Sequence, residues 1–231
     1  MGKRFFKPYV GEDYEKGFLD SKKKVLVLGA SHYCTIRECT FWEKCTSLEL
    51  RDSSAYNEIC PPYKKYRQKL EDSASIEIEN YLGGDYYLTY DNFTKALVDC
   101  FGKDMQYIWN QLAFVNYVQF FLPFTNTPVQ TPKDIINFES FIENVDELKP
   151  DIVIIWGTKV TNHFKKKYIK MMANRLEVQN DDYFWKMEIK KHQVIIVNPY
   201  HPSNVGNQWK ANVENFIKAL KKALYSSYTE L

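Results

Sequence analysis

The sequence predicts an α/β protein with a parallel sheet covered by helices. Short runs of β-branched and aliphatic residues recur along the chain, apolar on both faces, as strands buried from two sides require. Amphipathic segments lie between them, with apolar residues at helical spacing. Strand and helix alternate, which is the order of a sheet built through crossover helices.

Taken along the chain, Lys24–Gly29 (Lys-Val-Leu-Val-Leu-Gly) is a buried strand that ends at a glycine. Residues 64–82 and 91–112 read as mostly helical, and Ala113–Val118 is a weaker strand. Thr131-Pro132-Lys133-Asp134 sets a cap hydroxyl, a first-turn proline and an early acid in order. Ile135, Phe138, Phe141, Ile142, Val145 and Leu148 follow as one apolar stripe, and Pro150 closes the helix. Asp151–Gly157 repeats the form of the first strand, and Thr158 can cap a helix to about Met172. Phe184–Ile189 alternates before a turn at Lys190–His192, the pattern of an antiparallel edge strand. Val194–Asn198 is another buried strand, and Trp209, Val213, Phe216, Ile217, Leu220 and Leu224 form the stripe of a C-terminal helix. Nine Gly and nine Pro are scattered without a repeat or linker, so the expectation is one domain over residues 1–231.

The 231 residues are enough to bury a core, and 45% hydrophobic with 26% charged residues is a globular balance. Lys+Arg 31 against Asp+Glu 29 argues against a polybasic protein that grips nucleic acid along its whole surface. Local basic groups remain at Lys22–Lys24, Lys64-Lys65-Arg67, Lys165–Lys167, Lys190-Lys191 and Lys221-Lys222, each readable as a solvated face. An aromatic share of 16% allows either a large core or flat surfaces for stacking. The longest apolar runs, Val25–Ala30 and Ile152–Trp156, fall far short of the ~20 residues of a spanning helix. The first residues carry no apolar signal core, and Phe6 stands where a myristoylation signal needs Ser or Thr. With five cysteines, the expectation is a cytoplasmic protein with reduced thiols and no membrane partner.

Open α/β sheets bind ligands beyond the carboxyl ends of their strands. That rule selects four loops: Gly29-Ala30-Ser31-His32-Tyr33, Asn116-Tyr117-Val118-Gln119, Gly157-Thr158, and Asn198-Pro199-Tyr200-His201-Pro202-Ser203-Asn204. A buried strand is followed by Gly-x-x-x-Tyr (Gly29 to Tyr33), another ends in Trp156-Gly157, and a late one is followed by His201-Pro202-Ser203. Asn116 closes a strand between the first two. In this order, over residues 24–210, the loops resemble the uracil-DNA glycosylase superfamily.

The resemblance implies a three-layer α/β/α fold with a central four-stranded parallel sheet. It implies hydrolysis of the N-glycosidic bond of a damaged or deaminated base flipped out of DNA, with no cofactor and no metal in the chemistry. His201 is the catalytic candidate, donating to the departing base; Gly29, Tyr33 and Asn116 are the base-binding set; Pro202, Ser203 and Asn204 form the DNA-binding loop. Tyr33 would exclude bases with a bulky 5-substituent, as its counterpart does in the family.

Two positions depart from the pattern. Ser31 stands where the best-known branch carries a water-positioning Asp, and a neutral hydroxyl offers no fixed charge to an oxocarbenium ion. His32 follows it and is a candidate to orient water as general base, because a free imidazole titrates near neutrality. An acid elsewhere, such as Glu38 or Glu43, would also supply the charge. After His201-Pro202-Ser203 the family has a wedge residue; here Val205 is the thin candidate.

Plainer readings stand beside each. Ser31 and His32 can cap a helix, Asn116 can satisfy backbone groups, and His201 can staple a loop. Trp156, Phe114 and Phe120 suit a core, while His163 and His192 suit solvent. Cys34, Cys39, Cys45 and Cys60 cluster after the first loop, but without Cys-x-x-Cys they read as structural thiols before a metal site; Cys100 reads as core. The functional expectation is therefore a DNA glycosylase-like hydrolase. The alternative is a catalytically inactive protein of that fold that recognises a nucleotide, nucleic acid or protein. A hydrolase using Ser31 and His32 as nucleophile and base is weaker, since no Gly-x-Ser-x-Gly elbow is present and the two residues are adjacent. The oligomeric state is left open.

Overall fold

The computed structural model describes residues 4–33, 70–122, 134–157, 160, 184–203 and 208–225. Among the described residues the strands are β1 (Tyr9–Val10), β2 (Val25–Gly29), β3 (Leu112–Asn116), β4 (Ile152–Ile155), β5 (Phe184–Ile189) and β6 (His192–Val197). The α-helices among the described residues are α1 (Ser73–Leu82), α2 (Leu88–Phe101), α3 (Met105–Asn110), α4 (Asp134–Leu148) and α5 (Gln208–Tyr225). The molecule is mixed α/β, with one six-stranded sheet in the order β1-β3-β2-β4-β6-β5.

Every residue of β2, β3 and β4 is buried, as their unbroken apolar runs require. β2 pairs in parallel with β3 and with β4, and β4 in parallel with β6. The sheet is wider than the expected four strands. β1 joins β3 antiparallel through Tyr9↔Phe114 and Val10↔Ala113, and β5 joins β6 antiparallel from Phe184↔Val197 to Ile189↔His192. The reversed direction of β5 follows from its short connection: only a crossover can bring a strand back parallel, whereas β5 and β6 are joined by a tight turn. Lys190 and Lys191 both take positive φ there, 48° and 66°, the conformation that matches hairpin twist.

Alternation along the strands divides the core between two faces. Val25, Val27, Phe114, Ile154 and Trp156 pack with Ile78 of α1, Phe93 of α2, Trp109 of α3 and Phe216 of α5. Leu26, Leu28, Val115 and Ile155 pack with Phe138, Phe141 and Val145 of α4. Trp156, Phe114 and Phe120 are thus core residues.

Several local expectations are corrected. The helix expected over 91–112 is two helices: Gly102 ends α2 in the left-handed conformation (φ 65°), and the Asp104 carboxylate caps α3 by accepting from the Tyr107 N–H at 2.7 Å. Leu112 already belongs to β3, which stops at Asn116 rather than Val118. His192 opens β6 instead of facing solvent from a turn, and its Nε2–H donates to the Pro150 carbonyl at 2.8 Å. Cys100 is half-buried rather than core. Asn204, Val205, Cys34, Cys39, Cys45, Cys60, Glu38, Glu43, Thr158, His163 and Lys165–Lys167 lie outside the described residues.

Candidate functional site

Because β3, β2, β4 and β6 run parallel, their carboxyl ends share one edge of the sheet. Gly29, Asn116, Trp156-Gly157 and Asn198 end or follow these strands, so the expected loops lie along that edge.

On one side, Gly29 stands opposite Asn116 in the β2–β3 register. A Cβ at residue 29 would overlap Asn116 Oδ1 and lie 2.9 Å from Phe114 Cζ, so the carboxamide occupies room that only glycine leaves. The loops beyond the two strands stay paired. Tyr117 N–H donates to the Gly29 carbonyl (2.9 Å), Val118 N–H to Ala30 (3.0 Å) and Leu122 N–H to His32 (2.9 Å), and Tyr33 bridges Leu122. Gln119 braces this side: Oε1 accepts from the Phe5 and Phe6 N–H groups, and Nε2 donates to the Asn116 carbonyl at 3.0 Å.

His32 is 1% exposed, with its ring 4.5 Å from that of Phe6 and 5.7 Å from that of Phe121. Its Nδ1 lies 3.0 Å from Glu77 Oε1 on α1. A carboxylate only accepts, so Nδ1 carries the proton. Glu77 Oε2 accepts from the Tyr90 hydroxyl of α2 at 3.1 Å. Among the described residues His32 Nε2 and Ser31 Oγ are buried without a hydrogen-bond partner.

On the other side, Asn198 donates to the Ile155 carbonyl (2.8 Å), and Gly157 N–H to the Pro199 carbonyl (3.1 Å), which ties the ends of β4 and β6 together. Asn92 of α2 donates to the Pro202 carbonyl at 2.8 Å and holds the loop from outside. His201 Nδ1 accepts the Ser203 backbone N–H at 3.2 Å, with Ser203 Oγ 2.7 Å away. A backbone N–H can only donate, so Nδ1 keeps its lone pair and the neutral ring carries its proton on Nε2. Gly157 has φ +91°, and a Cβ there would sit 3.0 Å from His201 Cβ and 3.3 Å from its Cδ2.

No protein-family model matches the chain, and no curated protein matches it. What joins the two sides is aromatic packing: Phe114 and Trp156 lie 5.2 Å apart, Tyr90 is 5.4 Å from Phe114 and 5.6 Å from Trp156, and the Trp156 ring meets His201 edge-on at 6.4 Å. Glu77, Tyr90, Asn92 and Phe6 were not expected in the site. For Glu77 a signal exists: it sits within the stripe Ala74, Ile78 and Tyr81 that α1 buries, where a carboxylate needs a partner.

Among the described residues no group of three His, Cys, Asp or Glu side chains could hold a metal ion. Lys22–Lys24 precede β2 and Lys190-Lys191 precede β6, so both groups begin at the opposite, amino edge of the parallel strands. Lys23 donates to the Ala223 carbonyl at 2.7 Å, and burial lowers its pKa, since a buried ammonium is poorly solvated. Lys24 faces Glu15 at 3.4 Å. No helix of the described residues is long and apolar enough to cross a membrane.

Proposed function

We propose that this protein is a DNA glycosylase-like hydrolase of the uracil-DNA glycosylase superfamily, with its three-layer fold and four central parallel strands. It acts in the cytoplasm on a damaged or deaminated base flipped out of DNA. The observation that carries this reading is the His201–Ser203 contact, in which Nδ1 accepts and the proton of the neutral imidazole is held on Nε2, at the carboxyl edge of the sheet. Departure of a base places negative charge on its oxygen, and a fixed neutral donor stabilises that charge without first losing a proton. Asn116 would read one edge of the base through a carboxamide that both donates and accepts. Gly29 would keep that carboxamide in place, and Tyr33 would bound the pocket. Pro202, Ser203 and Asn204 would meet the DNA strand. Extruding the base costs a few kcal/mol.

The test is incubation with labelled oligonucleotides carrying uracil, hypoxanthine, xanthine or mismatches, followed by alkaline cleavage at abasic sites. Cleavage lost in His201→Ala supports the reading; an intact panel with the wild-type chain overturns it. A second reading, a binding protein without excision, is favoured by Ser31 in place of an acid. It predicts oligonucleotide binding that weakens steeply with salt through counterion release, but no abasic product.

A further inference from the structure

We infer that Glu77 is the positioning residue for hydrolysis, supplying from α1 the negative charge that Ser31 does not. This rests on the hydrolase reading above. Ser31, the first polar residue after β2, carries no charge. Glu77 stands behind the next residue instead. Its Oε1 takes the His32 Nδ1–H at 3.0 Å, and its Oε2 takes the Tyr90 hydroxyl at 3.1 Å. Carboxylate, imidazole and phenol therefore come from three elements and meet at one anion.

The consequence for His32 is directional. With Nδ1–H committed to Glu77, Nε2 holds the lone pair. The ring is clamped by Phe6 and Phe121, and its side chain is fully buried. Among the described residues Nε2 is the buried nitrogen without a partner on this ring. An unmet buried acceptor is costly, and a bound water would offset that cost. Glu77 keeps only 18% of its side chain exposed, so its charge acts through little solvent screening.

The step balances as follows. Water oxygen bonds to the anomeric carbon as the carbon–nitrogen bond breaks, and that bond's electron pair leaves with the base. A water proton passes to His32 Nε2, giving an imidazolium that Glu77 stabilises. The base anion, held by His201 Nε2–H, takes up that proton equivalent on release.

The test uses the full chain. Nitrogen-15 spectra of the wild-type imidazoles come first: His32 with Nδ1 protonated and Nε2 bare supports the assignment, and the reverse tautomer overturns it without any variant. Glu77→Gln should lower kcat on the reactive oligonucleotide by ~10²-fold or more, within the range of general-base catalysis, with KM little changed. It should also alter the acid limb of the pH profile. Glu77→Asp should restore part of the rate. Tyr90→Phe, which removes one bond to the carboxylate, serves if Glu77→Gln does not fold, and should reduce kcat more mildly. Excision by Glu77→Gln at the wild-type rate and pH profile overturns the role of Glu77 while leaving the hydrolase reading intact. Absence of excision by the wild-type chain overturns both.

Discussion

Gly29 and Asn116 face each other across β2 and β3, and the Asn116 carboxamide oxygen fills the space that a side chain at residue 29 would need. The pair couples a backbone position on one strand to a polar side chain on the next. Gly29→Ala should therefore displace the carboxamide and press on Phe114. We expect a loss of ~1–3 kcal/mol of stability, the usual cost of overpacking. Asn116→Ala should recover part of it in the double variant, because the two sites share one volume. Thermal denaturation of the four-member cycle measures this; additive losses would contradict it.

Gly157 combines a left-handed backbone with close approach to His201. Gly157→Ala should cost ~1–2 kcal/mol for the backbone alone, since a Cβ clashes with the following carbonyl at this φ. It should also push His201 away from Ser203. The His201 nitrogen-15 signals would then lose the signature of a protonated Nε2 with a hydrogen-bonded Nδ1. Unchanged signals would show that the glycine matters only for the turn.

Trp109 and Thr94 form a buried hydrogen bond, indole N–H to hydroxyl, at 2.8 Å. Thr94→Val keeps the shape and removes the acceptor. The stranded donor should cost ~1–3 kcal/mol. Chemical denaturation checks it, and a change within ~0.5 kcal/mol would mean that the indole finds another acceptor.

Asp146 receives Lys149 and Lys190 at 2.6 Å each, and these hydrogen bonds hold its carboxyl well below its ordinary value of 3.8, at about 2. A carboxyl depressed in the folded state contributes above its unfolded pKa and loses that contribution as pH falls through the folded one. The window is therefore from about 4 down to about 2. Both lysines are solvent-exposed, so the contribution is small and screened by salt. Asp146→Asn should flatten this part of the stability–pH curve at low ionic strength. Parallel curves for wild type and variant would dismiss it.

Much of the sheet can be read from the chain because β2, β4 and β6 carry uninterrupted aliphatic runs, which only burial from both sides explains. β1 is hidden because two residues, Tyr9 and Val10, carry no periodicity. The break between α2 and α3 was readable in principle: Gly102 followed by Asp104 is an end signal and a start signal in succession, but the apolar spacing continues through it. In the candidate site, Gly29, Asn116, Gly157 and His201 were reachable because strand ends are predictable positions. For Glu77 the buried stripe of α1 signals the need for a partner but not which one, since its relation to His32 spans 45 residues and depends on where α1 packs. The His201 tautomer likewise depends on a backbone N–H two residues on, which composition does not report.

The segments that leave β2 and β3 remain laced together by main-chain bonds as far as His32 and Leu122. A guest arriving at this rim would meet one stiffened lip instead of two independent flaps. The shape that must greet it is assembled beforehand, so little chain freedom is left to surrender on contact.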